Sequence, residues 1–240
     1  MTLCKQRMIP VCLFFLAIFF VAALPAYSQR GSIGIDLGET SDRFGAQPRT
    51  TTGEVDIEGQ GILLKRVSPE GDPNNVIGGE LQLPVDTSTH APEFAAFVGP
   101  EFNIGSHFVL GFHVQVRKIY PPTSDVNQFF FPRYKMLILE LPAVAEYKFG
   151  PGNRAFLRLQ ASPEFAPHYN RSSTGPSPFP GPTLDHAYTL RGSIGYNFDR
   201  WYLKANYETR YFKFSNNLGN PNNLASWRSD KASAGVGLRF

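Results

Sequence analysis

A set of charged residues stands on the polar side of segments whose alternate residues are apolar: Glu80, Glu101, Arg117, Glu146, Lys148, Arg158, Glu164, Arg191, Lys204, Glu208, Arg210 and Arg239. The chemistry open to such a set is mutual neutralisation. Carboxylates enclosed with guanidinium and ammonium groups can pair and hydrogen-bond, whereas any one of them buried alone is costly. The functional alternative is a water-filled pore with charge selectivity.

Histidines suggest a different chemistry. Asp185-His186 and His168 would fall near one rim of the molecule, where a hydrolase could be built. No motif joins a nucleophile, a base and an orienting group, so no catalytic residue is expected and a rim hydrolase ranks behind the other readings. The five histidines lack metal-ligand spacing such as HxxxH, so neither metal nor cofactor is expected. The stretch from Ser172 to Pro182 is rich in proline and should be stiff and extended. It either resists proteolysis or presents Phe179 to a partner.

The elements that must position the charges read as strands. Near the C-terminus Ala232, Ala234, Val236 and Leu238 alternate with Lys231, Ser233, Gly235, Gly237 and Arg239. The same period of two recurs over Trp201–Tyr211, Tyr188–Phe198, Ala155–Ala161 and Phe108–Arg117. Successive side chains of a strand point to opposite faces, so each segment has one apolar and one polar face. No segment longer than a turn or two carries a 3.6-residue apolar stripe. The chain is all-β.

A soluble sandwich shares this pattern. Three features favour a membrane barrel. The strands are often ten or more residues long, as a tilted membrane-crossing strand requires. Their polar faces carry both signs of charge, and aromatics gather at strand ends, at Phe102, Phe108, Tyr147, Phe149, Phe198 and Trp201. A second aromatic set, Tyr120, Phe129, Phe130, Phe131, Tyr134, Tyr169, Tyr188, Tyr211 and Trp227, is expected at the opposite interface. Connections alternate between tight turns (Gly105-Ser106-His107, Gly150 to Asn153, Asp199-Arg200) and long polar loops (Pro121 to Arg133, Asn170 to Asp185, Asn216 to Ser229). Strands before Phe94, with a loop over Thr40 to Gly53 and a turn near Pro69 to Asn75, bring the count to ten, with eight as the alternative. Pro100, Pro142 and Pro163 interrupt strands: Pro100 is expected at a bulge, and the other two near the external interface.

The N-terminus reads as an export signal. Lys5 and Arg7 precede an apolar run from Val11 to Leu24, and Ala26-Tyr27-Ser28 offers small residues for cleavage before Gln29. Residues 1–28 are therefore expected to be a signal peptide and 29–240 an outer-membrane β-barrel domain. Both cysteines, Cys4 and Cys12, fall in the leader, which excludes a disulfide scaffold from the mature chain. Without Lys5 and Arg7 the 23 basic residues are nearly balanced by 20 acidic ones, leaving no electrostatic case for nucleic acid.

Ser233, Gly235, Leu238 and Phe240 fit the terminal polar-x-Gly-x-x-apolar-x-aromatic pattern by which the barrel-assembly machinery recognises its substrates. With the hairpins from Phe94 onward, the chain resembles the small outer-membrane β-barrel domain proteins, the opacity-protein and OmpX-like group. The resemblance implies a closed, antiparallel, up-and-down transmembrane β-barrel in a bacterial outer membrane. It implies contact with membrane lipid and lipopolysaccharide, insertion by the assembly machinery, and external loops that could hold an extracellular ligand. No periplasmic peptidoglycan-binding domain is expected. The function expected is structural or surface-interacting, with a mostly filled lumen and no enzymatic activity. A narrow, porin-like transport channel is the alternative.

Overall fold

The computed structural model describes residues 28–45, 50–63, 74–85, 92–119, 134–171, 183–215 and 226–239. Twelve strands account for nearly all of them: β1 Ser28–Phe44, β2 Thr50–Leu63, β3 Asn74–Pro84, β4 Glu93–Ile104, β5 Phe108–Phe112, β6 Val114–Ile119, β7 Tyr134–Glu140, β8 Ala143–Phe149, β9 Ala155–Arg171, β10 Thr183–Asn197, β11 Trp201–Ser215 and β12 Ser226–Arg239. β5 and β6 run in one line interrupted at His113, and β7 and β8 in one line interrupted at Leu141 and Pro142. The sheet therefore has ten staves, each antiparallel to its neighbours. Pairing of β1 with β12 from Ser32↔Arg239 to Phe44↔Trp227 closes it, so no edge remains.

The register fixes the shape. Successive partners from Trp227 run through Phe212, Ala187, Glu164, Glu140, Gln115, Phe97, Gly78, Gln60 and Ser32 and return to the starting strand at Arg239, twelve residues along. A rise of about 3.3 Å per residue and a strand spacing of about 4.8 Å then give a tilt of about 40° and a radius of about 10 Å. That interior is slightly wider than an eight-strand barrel, which side chains just fill.

Alternation decides which face is which. Leu37 and Phe112 are each 63% exposed and Leu238 59%, whereas Asp36, Arg117 and Lys231, one position out of phase or an odd number away, are 2–6% exposed. Apolar side chains cover the outside and charged ones fill the inside, the reverse of a water-soluble barrel. Among the described residues no helix is long and apolar enough to cross a membrane; this chain crosses with strands.

Among the described residues, tight turns join β4 to β5, β8 to β9 and β10 to β11 at one end. Gly105 (φ 61°), Gly150 (φ 76°) and Gly152 (φ 65°) take the left-handed backbone these turns require. The turns are tied together: the Lys148 N–H donates to the His107 carbonyl and the Arg239 N–H to the Arg200 carbonyl, each at 2.7 Å.

Several strand ends differ from the sequence expectation. The loop expected over Thr40 to Gly53 is mostly strand, with Thr40↔Thr52 and Asp42↔Thr50 paired, so β1 and β2 extend past their apolar portions. Asn170, Thr183 and Asp185 likewise belong to strands, as do Asn74, Asn75 and Ser226. Pro100 sits at no bulge: Val98↔Val114 and Glu101↔Gly111 share one register, and the proline lies where the neighbouring stave breaks at His113. Pro142 lies at mid-stave instead of near an interface. Its missing donor costs one ladder bond, while its carbonyl still accepts from the His113 N–H at 2.9 Å. Pro163 similarly accepts from the Leu141 N–H at 3.2 Å.

Candidate functional site: a charged lumen

The alternation that sends leucine outward sends every second side chain into a space enclosed on all sides by paired backbone. Water there is scarce, so charged groups must find one another. At mid-height they do so from wall to wall. Glu80 of β3 receives Arg191 of β10 at 2.9 Å, Arg117 of β6 at 3.4 Å and Lys231 of β12 at 3.9 Å. Arg191 also donates through Nε to Glu208 at 2.6 Å. Glu208 is shared with Arg210, whose Nη1 reaches Glu93 of β4 at 2.7 Å. Arg117 turns its Nε to Glu140 of β7 at 2.7 Å, and Gln115 donates to the other oxygen of the same carboxylate at 2.5 Å. Lys231 completes the layer against Asp56 at 2.5 Å and Glu54 at 3.3 Å. Glu164 accepts from the Thr189 hydroxyl. Arg117, Glu140, Glu208 and Arg210 are all at most 4% exposed. These contacts form a cross-linked plug.

Apolar residues lie on the long-loop side of the plug. Phe212 and Trp227 stack with centroids 4.7 Å apart and planes 13° apart, and the Trp227 indole N–H donates to Asp42 at 2.8 Å. Ile119 and Ile138, on the paired strands β6 and β7, are fully buried as well. Trp227 thus corrects an expectation: it belongs to the lumen, not to the outer aromatic girdle. Its parity with Ser229, Lys231 and Ser233 was the available signal.

On the short-turn side the lumen opens into a vestibule of about 420 Å³. Two ion-paired groups line opposite walls. Lys204 bridges Glu58 and Asp36, at 3.0 Å from the latter, with the Tyr202 hydroxyl donating to Glu58 at 3.1 Å. Arg158 bridges Glu101 at 2.6 Å and Glu146 at 3.1 Å. His113, whose ring stacks on Phe97 at 5.1 Å, sits 3.2 Å from Glu101, and Lys148 lies 3.6 Å from Glu146. Arg239 is exposed at the rim and takes no part in these pairs.

Of the charges singled out from sequence, all except Arg239 and Glu164 therefore sit in one of three ion-paired clusters, and Glu164 faces the lumen against Thr189. The charged set legible in the sequence omits Lys231, although its strand alternates, and it also omits Asp36, Glu54, Asp56, Glu58, Glu93 and Glu140. Glu93 precedes one short apolar run and Glu140 ends another, so only the tertiary register shows that they face inward.

Outside, Phe102, Phe108, Tyr147, Phe149 and Trp201 are 37–50% exposed at the short-turn end. Phe108 and Tyr147 pack at 4.8 Å, and Phe198 stacks on Trp201 at 3.8 Å. Tyr188 and Tyr211 pair at 5.5 Å toward the other end. Tyr120, Phe129, Phe130, Phe131, Phe179 and Phe240 lie outside the described residues, as do residues 1–27 of the leader, whereas Ser28 opens β1. Tyr134 and Tyr169 belong to β7 and β9. Of the assembly pattern, Ser233 and Gly235 face the lumen and Leu238 faces outward. Asp185 falls where the β10–β11 register shifts, bringing it 3.4 Å from His186; both are about half exposed. Among the described residues no cluster of His, Cys, Asp and Glu could hold a metal ion.

No family model matches the sequence, and no curated protein matches it. Solved structures align over most of the chain. Neisserial surface protein A (NspA) is 14% identical, over 88% of this chain and 97% of its own, with a TM-score of 0.40. Ail, the attachment invasion locus protein of Yersinia pestis, is 10% identical over 89% and 99%, with a TM-score of 0.35. KdgM porin is 13% identical over 86% and 99%, with a TM-score of 0.38. These are small outer-membrane β-barrel proteins, the group the terminal-strand pattern resembles. Identity and TM-score are both low, and the architecture rests on the strand register itself. With its sheet closed, its apolar face outward and its charges enclosed, the chain is a ten-stave transmembrane β-barrel of the outer-membrane type.

Proposed function

We propose that the chain is an exported protein of a bacterial outer membrane whose barrel anchors the connections at its long-loop end, with a structural or surface-interacting role. The supporting observation is the plug: Glu80 gathers cations from three other staves, so paired side chains cross the lumen at mid-height. What is left to act is the rim. External loops, including the one carrying Phe179, would meet an extracellular ligand. The outer wall would meet lipid and lipopolysaccharide, and Ser233, Gly235, Leu238 and Phe240 would engage the assembly machinery during insertion. The role is non-enzymatic, with Asp185 and His186 in a solvent-exposed contact at the rim.

A narrow transport channel is the second reading, and the vestibule favours it, because it opens about 420 Å³ of the lumen on the short-turn side. Planar-bilayer recording of the purified wild-type protein separates the two. A silent bilayer is expected. Sustained single-channel current would overturn the closed-lumen reading in favour of the channel.

A further inference from the structure

Three aromatic side chains lie in the vestibule in the same way. Phe97, Phe156 and Tyr202 each face a glycine directly across the strand ladder: Gly78, Gly195 and Gly237. In each pair the ring occupies the place of the missing side chain. A Cβ at Gly78 would meet Phe97 Cζ at 2.3 Å, one at Gly195 would meet Phe156 Cζ at 2.5 Å, and one at Gly237 would meet Tyr202 Cζ at 2.3 Å. The rings therefore lie along the wall instead of projecting toward the axis, and this keeps the vestibule open. Amides share the lining, among them Asn103, Gln160 and Asn197.

We propose that the vestibule is a binding site for a small, uncharged, polyhydroxylated solute of the saccharide type. Its volume of about 420 Å³ lies within the range of about 300–1,000 Å³ typical of small-molecule sites. Aromatic surface suits the C–H faces of a sugar ring, and each side-chain amide both donates and accepts, matching hydroxyl groups. Inside the rim, where Arg239 stands exposed, the central charges of the two walls are committed to one another: Lys204 to Asp36 and Glu58, Arg158 to Glu101 and Glu146. Between those two walls an anionic or cationic solute would have to displace one of those partners, whereas a neutral one would not. The vestibule is formed with the plug closed, so the inference does not depend on whether the lumen conducts.

Saturation-transfer NMR on the detergent-folded full-length barrel, with maltose as probe, tests this. Transfer to the maltose ring protons is expected, reduced at least several-fold in Phe156→Ala and in Gln160→Ala. Retention of the heat-dependent shift in gel mobility shows that each variant is folded, and Gln160→Ala keeps the test available if Phe156→Ala does not fold. No transfer in the wild type, undiminished transfer in the folded variants, or displacement of maltose by lower concentrations of glucuronate or glucosamine would overturn the proposal. Bilayer conductance is a separate readout, so failure here leaves the closed-lumen reading standing.

Discussion

The ring of Tyr202 fills the space that a side chain at Gly237 would need, its Cζ standing 2.3 Å from where that Cβ would be. The same side chain reaches on past Gly34, whose Cβ would fall 2.4 Å from the hydroxyl, and donates to Glu58. One residue of β11 thereby spans β12 and β1 to touch β2, across the seam where the first and last staves meet. Gly237→Ala should force the ring toward the axis and break its bond to Glu58. The expected cost is about 1–3 kcal/mol, the usual range for overpacking. It would be read as an earlier urea midpoint for loss of the heat-modifiable band. Adding Tyr202→Ala should recover part of that loss, since the collision is then gone. A purely local glycine effect predicts no recovery.

Glu80 is the acid on which the plug turns. Glu80→Gln preserves shape and removes the charge, leaving Arg117, Arg191 and Lys231 facing one another with less compensation. Removing one partner from a buried ionic group typically costs roughly 3–5 kcal/mol. The variant should be less stable than wild type and should pass current in a planar bilayer, with anions favoured by the surplus cations. Wild-type stability together with a silent bilayer would mean that Glu80 does not hold the lumen shut.

The ten staves and most of their faces were legible because one face meets lipid and the other does not, so a period of two persists along each strand. That signal weakens wherever a strand leaves the membrane. Thr40–Phe44 and Thr50–Gly53 carry no apolar outer face, and they pass for a loop until Thr40↔Thr52 is seen to pair. Prolines mislead for a related reason: Pro142 keeps its carbonyl in the ladder, so one lost donor does not end the stave. The lumen charges were recognisable as a set, yet their partners were not. Glu80 and Arg191 are 111 residues apart in sequence, and only the closed register brings them together.

Trp227 illustrates a parity that composition obscures, and it makes a spectroscopic prediction. The chain has two tryptophans. Trp201 is 39% exposed on the outer wall, whereas Trp227 is 2% exposed inside, stacked on Phe212. In Trp227→Phe, fluorescence from Trp201 should be quenched strongly by lipids brominated near the headgroup. In Trp201→Phe, emission from Trp227 should resist both brominated lipid and aqueous iodide. Equal quenching of the two variants by lipid would put Trp227 back on the outer face.

Closure between β1 and β12 can be tested by covalent linkage. Leu37 and Ala234 are direct partners across that seam, and both side chains point outward. Opposed antiparallel residues have Cα atoms about 4.5–5.5 Å apart, inside the disulfide range of about 4.4–6.8 Å. In a chain of residues 29–240, which contain no native cysteine, Leu37→Cys with Ala234→Cys should oxidise readily in the folded barrel. The bond should raise stability by about 2–4 kcal/mol, because it ties nearly the whole chain into one loop. Leu37→Cys with Val116→Cys places the second thiol on β6, which does not neighbour β1, and should remain reduced within the monomer. If the seam pair failed to oxidise while the folded gel mobility was retained, β1 and β12 would not be neighbours. The sheet would then have two free edges, and no apolar-out, charge-in arrangement could be kept in a bilayer.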